Sequence, residues 1–188
     1  MTFRFPPLRH IACAAALATC GSAFAQTPSL TPEQQHFHAI YKELVEINTT
    51  HSVGSTTQAA QAMQAVLLKA GFSKDEMQII EPFPRKGNLV LRWKGTGAKQ
   101  PMLLMAHIDV VEAKREDWKT DPFKLQESDG YFTARGSIDD KAMASSFVSV
   151  LAQLKQEGFK PTRDIIMALT ADEERGDVES NEIGRAHV

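Results

Sequence analysis

Apolar side chains recur every three or four residues in three stretches of the chain, which is the spacing of amphipathic helices. The three predicted helices cover 32–47, 56–70 and 140–156. The first begins with a capping box, in which Thr31 caps the helix, Pro32 occupies its first turn and Gln34 completes the box. Gly71 and Gly158 end the second and third helices. Five side chains of the third helix are predicted to face inward: Met143, Phe147, Val150, Leu151 and Leu154.

Short apolar runs bounded by turn residues predict strands between these helices. The predicted strands cover 77–80, 88–93, 102–106, 131–133 and 163–170. The run 102–106 is apolar throughout, which is typical of a strand buried on both faces. Because helices and strands alternate, the predicted fold class is α/β, with a mixed, largely parallel sheet flanked by helices.

The composition of the chain is ordinary for one globular domain. It has 188 residues, of which 43% are hydrophobic and 23% are charged. The net charge of −2 shows no basic excess, so we expect no nucleic acid partner. Two cysteines are too few for a disulfide scaffold or a cysteine-rich zinc module.

The first 25 residues have the pattern of a secretory signal peptide. Arg4 and Arg9 precede an apolar run, 11–18, that is too short to span a bilayer. Small residues at 23 and 25 predict cleavage after Ala25 and a secreted or periplasmic protein without a membrane partner. The alternatives are an apolar helix kept in the mature protein and a lipoprotein acylated at Cys20.

Cleavage would remove both cysteines, Cys13 and Cys20. A metal site in the mature protein would then have to use histidine, aspartate and glutamate. The mature protein would hold 19 basic and 23 acidic residues, a net charge of −4, because Arg4 and Arg9 are lost. No later segment is apolar and long enough to cross a membrane.

His107 and Asp109 directly follow the predicted strand 102–106. Side chains two positions apart lie on the same side of an extended segment, so Asp109 can accept a hydrogen bond from the imidazole. That contact would fix the tautomer of His107 and leave its other nitrogen free for a metal. The alternative is a surface histidine beside an unrelated aspartate.

Two further acidic clusters occupy comparable places. Asp139 and Asp140 precede the third helix, where one aspartate can cap the helix and leave the other available. Asp172, Glu173 and Glu174 follow the last predicted strand. A nearby cation would relieve the repulsion among these three carboxylates, although a solvated loop is the alternative.

All three clusters are predicted at the carboxyl ends of strands or before a helix, where open α/β sheets bind ligands. Together they offer an imidazole and carboxylate oxygens, which suit a hydrolytic centre of one or two Zn²⁺ ions. One of the paired glutamates could hold the metal while its neighbour deprotonates water.

Three segments carry these candidates in a recognisable order. They are 104–111 (Leu-Met-Ala-His-Ile-Asp-Val-Val), 136–141 (Gly-Ser-Ile-Asp-Asp-Lys) and 170–174 (Thr-Ala-Asp-Glu-Glu). They resemble the metal-binding strand, the Gly-x-x-Asp-x-Lys-Gly motif and the paired-glutamate motif of the M20 metallopeptidases, a family of carboxypeptidases, dipeptidases, aminoacylases and related deacylases. The spacings of 32 and 34 positions between the histidine, the aspartate and the first glutamate agree as well. Ala142 departs from the motif, which usually has glycine there.

This resemblance implies a zinc exopeptidase-like catalytic domain that hydrolyses peptide or N-acyl amino acid amide bonds. It implies that His107, Asp139 and Glu174 are metal ligands, with Asp139 shared by two zinc ions; Co²⁺ or Mn²⁺ are alternative metals. Asp109 would orient His107, and Glu173 would be the general base that activates the attacking water. A homodimer is expected for the full-length form.

The resemblance also implies that the chain is part of a longer protein. The family's metal centre uses a further acidic ligand and a late histidine, and the family has a smaller lid or dimerisation domain, for which we find no counterpart. Four late candidates lie too close to the paired glutamates: Asp177, Glu179, Glu182 and His187. We expect residues 26–181 to be a truncated, N-terminal part of the catalytic domain that is inactive by itself.

Residues 182–188 have the sequence that a common sequencing adapter encodes. We interpret them as derived from that adapter and exclude His187 as a zinc ligand for this reason. Two other functions stay open, namely a non-catalytic remnant or binding module with a partial metal site, and a different family of di-metal aminopeptidases. An in-frame acidic ligand and a late histidine in the downstream DNA would favour the hydrolase over the remnant.

Overall fold

The computed structural model describes residues 29–175. Its helices are α1 (Pro32–Glu46), α2 (Thr56–Lys69) and α3 (Lys141–Gln156). Its strands are β1 (Met77–Ile80), β2 (Asn88–Trp93), β3 (Met102–His107), β4 (Gln126–Ser128), β5 (Tyr131–Thr133) and β6 (Ile165–Thr170). Every predicted helix and strand is found, with small differences at the ends. β4 is additional, because its polar sequence gives no strand pattern.

Several predictions concern residues outside this described range. They are the signal peptide (1–25), the adapter-like tail (182–188) and the late candidates Asp177, Glu179, Glu182 and His187. Between residues 29 and 175, no helix combines the length and the apolar character that crossing a bilayer requires.

The predicted start of α1 is confirmed in atomic detail. The Thr31 side chain accepts a hydrogen bond from the Gln34 backbone N–H at 3.3 Å, and the Gln34 side chain accepts one from the Thr31 N–H at 2.9 Å. These contacts satisfy two backbone donors that a helix start otherwise leaves unpaired. Pro32 begins the first turn, where its missing N–H costs nothing.

The main sheet has the strand order β1-β2-β6-β3, and β4 and β5 form a separate two-stranded sheet. The predicted α/β class with a mixed sheet and flanking helices is confirmed. The sheet is less parallel than expected, because β1–β2 and β2–β6 are antiparallel and only β3–β6 is parallel. The reason is connectivity: a parallel pair needs a long crossover, which α3 supplies between β3 and β6, whereas β1 and β2 are joined by a short connection.

β3 lies at the edge of the described sheet, with a neighbouring strand on one side only. Leu103 and Met105 are 58% and 57% exposed on one of its faces, while Ala106 on the other face is buried. The prediction that this strand is buried on both faces is therefore wrong for the described residues. An apolar run alone does not reveal which strand of a sheet lies at the edge.

The apolar core lies between the helices and one face of the sheet. Helix residues Leu44, Met63 and Val148 meet strand residues Leu89 and Met167 there, all fully buried. The predicted inward face of α3 is wrong in part. Two of its members are largely exposed, at 48% and 53%: Met143 and Val150. Smaller residues of α3 face the core in their place, among them Ala144 and Ala152.

Candidate metal centre

The parallel pairing of β3 and β6 brings two predicted clusters to the same edge of the sheet. His107, the last residue of β3, pairs with Thr170, the last residue of β6. The chain leaves both strands in the same direction, so the turn that carries Glu173 and Glu174 lies beside the imidazole of His107. This is the edge at which the sequence predicts the site.

The loop before α3 carries Asp139 to this edge. The Tyr41 hydroxyl donates to the Ser137 carbonyl oxygen at 2.7 Å, which fastens the loop to α1. Gly136 has a φ of 74°, and a Cβ at that position would lie 2.5 Å from Val110 Cγ1. Glycine is therefore needed where this loop approaches the segment that follows β3.

Three of the predicted residues converge in space. Nε2 of His107 lies 2.9 Å from Oδ1 of Asp139, and 3.9 Å from Oε2 of Glu173. Donor atoms of His107, Asp139 and Glu174 all lie within 4.8 Å of one another. One imidazole and two carboxylates form a donor set that Zn²⁺ accepts. Their role as ligands, and that of Glu173 as a base, stay predictions.

Asp109 is buried between β3 and the turn after β6. Nδ1 of His107 lies 3.2 Å from the Asp109 backbone oxygen and 3.5 Å from its carboxylate Oδ1. The other carboxylate oxygen, Oδ2, accepts a hydrogen bond from the Glu174 N–H at 3.0 Å. Asp109 thus faces the nitrogen of His107 that points away from Asp139, which is where an orienting residue has to lie.

The environment of His107 favours its protonated form. Burial lowers the pKa of His107, but the hydrogen bonds with Asp109 and Asp139 outweigh burial and raise the pKa to about 9. A proton on Nε2 occupies the lone pair that a metal would need. A metal and a proton therefore compete for this nitrogen.

Negative charge accumulates around this single histidine. Burial raises the pKa of Glu174, and the carboxylate of Asp139 raises it further. Burial also raises the pKa of Asp140, which lies beside Asp139 and Glu173. Oδ1 of Asp109 is buried and faces the imidazole of His107, at 3.5 Å. A divalent cation would relieve this repulsion, and the available donors fit zinc.

Helix capping does not account for the paired aspartates. Asp140 is the N-cap residue of α3, but its side chain makes no capping hydrogen bond, and the Asp139–Asp140 peptide bond is cis. The Asp139 side chain is 72% exposed and points to His107. The expected capping by one of the two aspartates is not seen, and the role of Asp139 as a ligand stays a prediction.

Lys141 is a residue to which the sequence analysis assigns no role. It is fully buried, and its Nζ donates to the Ile47 carbonyl oxygen at 2.7 Å. Burial lowers the pKa of Lys141 to about 7, against the opposing attraction of Asp109. The contact joins the end of α1 to the start of α3, next to Asp139. Its position in the Gly-x-x-Asp-x-Lys motif is the sequence signal that could have indicated a role for Lys141.

Known proteins resemble this chain in sequence. Residues 103–185 match the sequence profile of peptidase family M20/M25/M40. Through this segment the chain is similar to the M20 peptidases. Mouse aminoacylase-1 is 30% identical over 148 residues, which are 77% of this chain and 36% of the aminoacylase. The N-fatty-acyl-amino acid synthase/hydrolase PM20D1 of Xenopus tropicalis is 43% identical over 74 residues, 39% of this chain and 14% of that protein.

Solved structures of two dipeptidases share the fold of this chain. The di-peptidase Dug1p of Saccharomyces cerevisiae aligns with a TM-score of 0.62 and 23% identity, covering 77% of this chain and 33% of Dug1p. Human carnosine dipeptidase 1 aligns with a TM-score of 0.57 and 20% identity, covering 80% of this chain and 37% of the dipeptidase. The chain thus spans between a third and two-fifths of the length of these two structures.

Proposed function

We propose that this chain carries part of a zinc-dependent hydrolase centre that cleaves the amide bond of peptides or N-acyl amino acids. The observation that carries the proposal is the convergence of His107, Asp139 and Glu174 within 4.8 Å at the carboxyl ends of β3 and β6. Similarity to the M20 peptidases and to aminoacylase-1 supports the choice of an amide bond.

These three side chains would hold the metal, with Asp139 shared if two ions bind. Bound zinc would supply Lewis acidity that polarises the amide carbonyl, and Co²⁺ or Mn²⁺ could supply the same chemistry. Asp109 would keep the Nδ1 proton of His107 directed at itself, so that Nε2 presents its lone pair. The buried position of Asp109 suits this orienting role.

Glu173 would serve as the general base. Its side chain is 60% exposed, so water and substrate can reach it, yet it lies 3.9 Å from His107. The carboxylate would take a proton from the attacking water and return it to the leaving amine. Its neighbour Glu174 is held by its backbone N–H on Asp109, which separates the roles of the two glutamates.

We expect residues 26–188 to be nearly inactive as an isolated protein. The described residues supply three candidate ligands, whereas the family resemblance implies five, so zinc should bind weakly and a second ion poorly. Zinc-dependent hydrolysis of dipeptides or N-acetyl amino acids by this purified protein would contradict the expectation. The homodimer is proposed only for a longer form of the protein.

The metal centre is tested by titrating the chain with Zn²⁺ in a calorimeter. We expect Asp139→Asn to weaken zinc binding by tenfold or more, because it removes a charged oxygen ligand. Asp129→Asn is the matched control, since Asp129 lies in the exposed β4–β5 turn with a φ of 52°, which asparagine also adopts. Equal zinc affinities in the two variants would contradict the proposal.

We also propose that the protein is exported, on the basis of the signal-peptide pattern in residues 1–25. The test is N-terminal sequencing of the protein recovered from the periplasm or medium of an expressing bacterium. We expect the sequence to begin at Gln26. Recovery of the chain from the cytoplasm with its original N-terminus would contradict export.

A further inference from the structure

We propose that Lys86 is a positioning residue, whose ion pair with Asp172 holds the turn that carries Glu173 and Glu174. The inference rests on the metal centre proposed above. Lys86 lies in the loop before β2, and its Nζ donates to Asp172 Oδ1 at 2.6 Å. Both side chains are buried, so water screens this pair very little.

The turn after β6 is held from two sides. On one side, the Ala171 N–H donates to Asn88 Oδ1 at 2.8 Å. The next residue, Asp172, makes the ion pair with Lys86. On the other side, the Glu174 N–H donates to Asp109 Oδ2 at 3.0 Å. The start of β2 and the end of β3 therefore clamp the backbone on either side of Glu173.

The backbone at Asp172 has a left-handed conformation. Its φ is 63°, which is uncommon outside glycine but is tolerated by aspartate and asparagine. This conformation turns the chain directly after β6 and so sets the direction in which Glu173 and Glu174 leave the sheet. Nδ1 of His51 also faces Asp172, but at 3.8 Å and on a half-exposed side chain.

Charge gives a second reason for the pair. A buried carboxylate without a partner is strongly disfavoured, and two more carboxylates follow Asp172 directly. Lys86 offsets the charge of Asp172, so that Glu173 and Glu174 are the carboxylates of this turn whose charge is not offset by the ion pair. Outer residues that hold metal ligands in this way commonly alter metal affinity by 10- to 100-fold when they are replaced.

The test compares Lys86→Met with Lys155→Met in the full chain. Lys155 is the control, because it is also a lysine in an ion pair, with Glu76 at 3.1 Å, although its side chain is 22% exposed compared with 8% for Lys86. Two properties are measured: Zn²⁺ affinity, and hydrogen exchange of the Glu174 amide without metal. We expect Lys86→Met to weaken zinc binding about 10- to 100-fold and to speed Glu174 exchange about tenfold or more, with neither change in the control.

The double variant Lys86→Met with Asp172→Asn separates positioning from stability. It removes both charges, and asparagine tolerates the left-handed backbone, so stability should recover relative to Lys86→Met. We expect fast Glu174 exchange and weak zinc binding to persist in the double variant. The single variant Lys86→Arg keeps the positive charge, and we expect both properties to lie between those of the native chain and those of Lys86→Met.

The proposal would be overturned if Lys86→Met and Lys155→Met had equal effects. It would also be overturned if zinc affinity and slow Glu174 exchange recovered together with stability in the double variant. Because the exchange measurement uses no metal, it decides the role of Lys86 even if the native chain binds no zinc. Absent zinc binding would count against the metal centre instead.

Discussion

The described residues contain two different interiors. Between the helices and the sheet the interior is apolar, and side chains such as Leu44, Met63 and Leu89 fill it. At the carboxyl ends of β3 and β6 the interior contains charged side chains, and this region is called the charged edge below. All charged residues buried in the described part of the chain lie there: Lys86, Asp109, Lys141 and Asp172.

The two interiors have opposite effects on stability. Burial of apolar surface stabilises the fold by about 25 cal/mol per Å². Burial of a charge costs free energy unless a partner compensates. Burial accordingly lowers the pKa of Lys141 to about 7. Concentrated buried charge at one edge is therefore a feature that folding alone does not favour. The ion pair between Lys86 and Asp172 compensates two of these four charges.

A truncation in the apolar interior should have the largest effect on stability and none on the metal site. Leu67 on α2 is fully buried, and we expect Leu67→Ala to lower the free energy of unfolding by about 2–5 kcal/mol. Urea denaturation measures this loss. Zinc affinity, measured well below the denaturation midpoint, should match that of the native chain; a tenfold loss would show that the two regions are not independent.

The charged edge should instead make stability depend on pH. Burial lowers the pKa of His107, but contacts with Asp109 and Asp139 raise it to about 9, compared with 6.5 in the unfolded chain. A raised pKa means that the contribution of His107 is complete below pH 6.5 and is lost as the pH rises to 9. The loss is at most about 1.4 kcal/mol per pH unit, or about 3 kcal/mol in all.

Urea denaturation in a chelating buffer tests this dependence. The stability difference between the native chain and His107→Gln should shrink from pH 6 to pH 9. The difference between the native chain and Leu67→Ala should stay constant over the same range. A constant difference for His107→Gln would contradict the assigned contacts.

Removal of the Asp109 charge should weaken zinc binding. Expressed as free energy, this effect should be smaller than the two changes in stability described above. We expect Asp109→Asn to reduce zinc affinity about 10- to 100-fold, or about 1.4–2.8 kcal/mol, because the neutral amide orients His107 less strongly. Asp164→Asn is the matched control. Asp164 also accepts a backbone N–H, from Gly95, and pairs with Arg92 outside this edge. Calorimetric titration should show native affinity for the control.

The apolar interior was largely predictable because its signals are local. The capping box at Thr31 and the apolar periods of α1 and α2 lie within single elements, and the structure confirms them. The exposure of Leu103 and Met105 was not predictable, because it depends on the position of β3 in the sheet. Strand order is decided by contacts between distant segments, which a single run of residues does not encode.

The charged edge was predictable only in its motif residues. The positions of His107, Asp139 and Glu174 follow from their places after strands and before a helix, together with the family resemblance. Lys86 was missed, because a lysine in a loop is ordinarily exposed. Its burial depends on Asp172, 86 positions later in the chain.

X-ray absorption at the zinc edge tests most directly whether the charged edge is a metal site. The zinc-loaded chain should show one imidazole nitrogen together with oxygen ligands at about 2.0–2.2 Å. Imidazole scattering should disappear in His107→Gln and persist in His38→Gln, where the histidine replaced is paired with Glu127. A zinc spectrum that is the same in both variants, or that shows oxygen ligands alone in the native chain, would contradict the site.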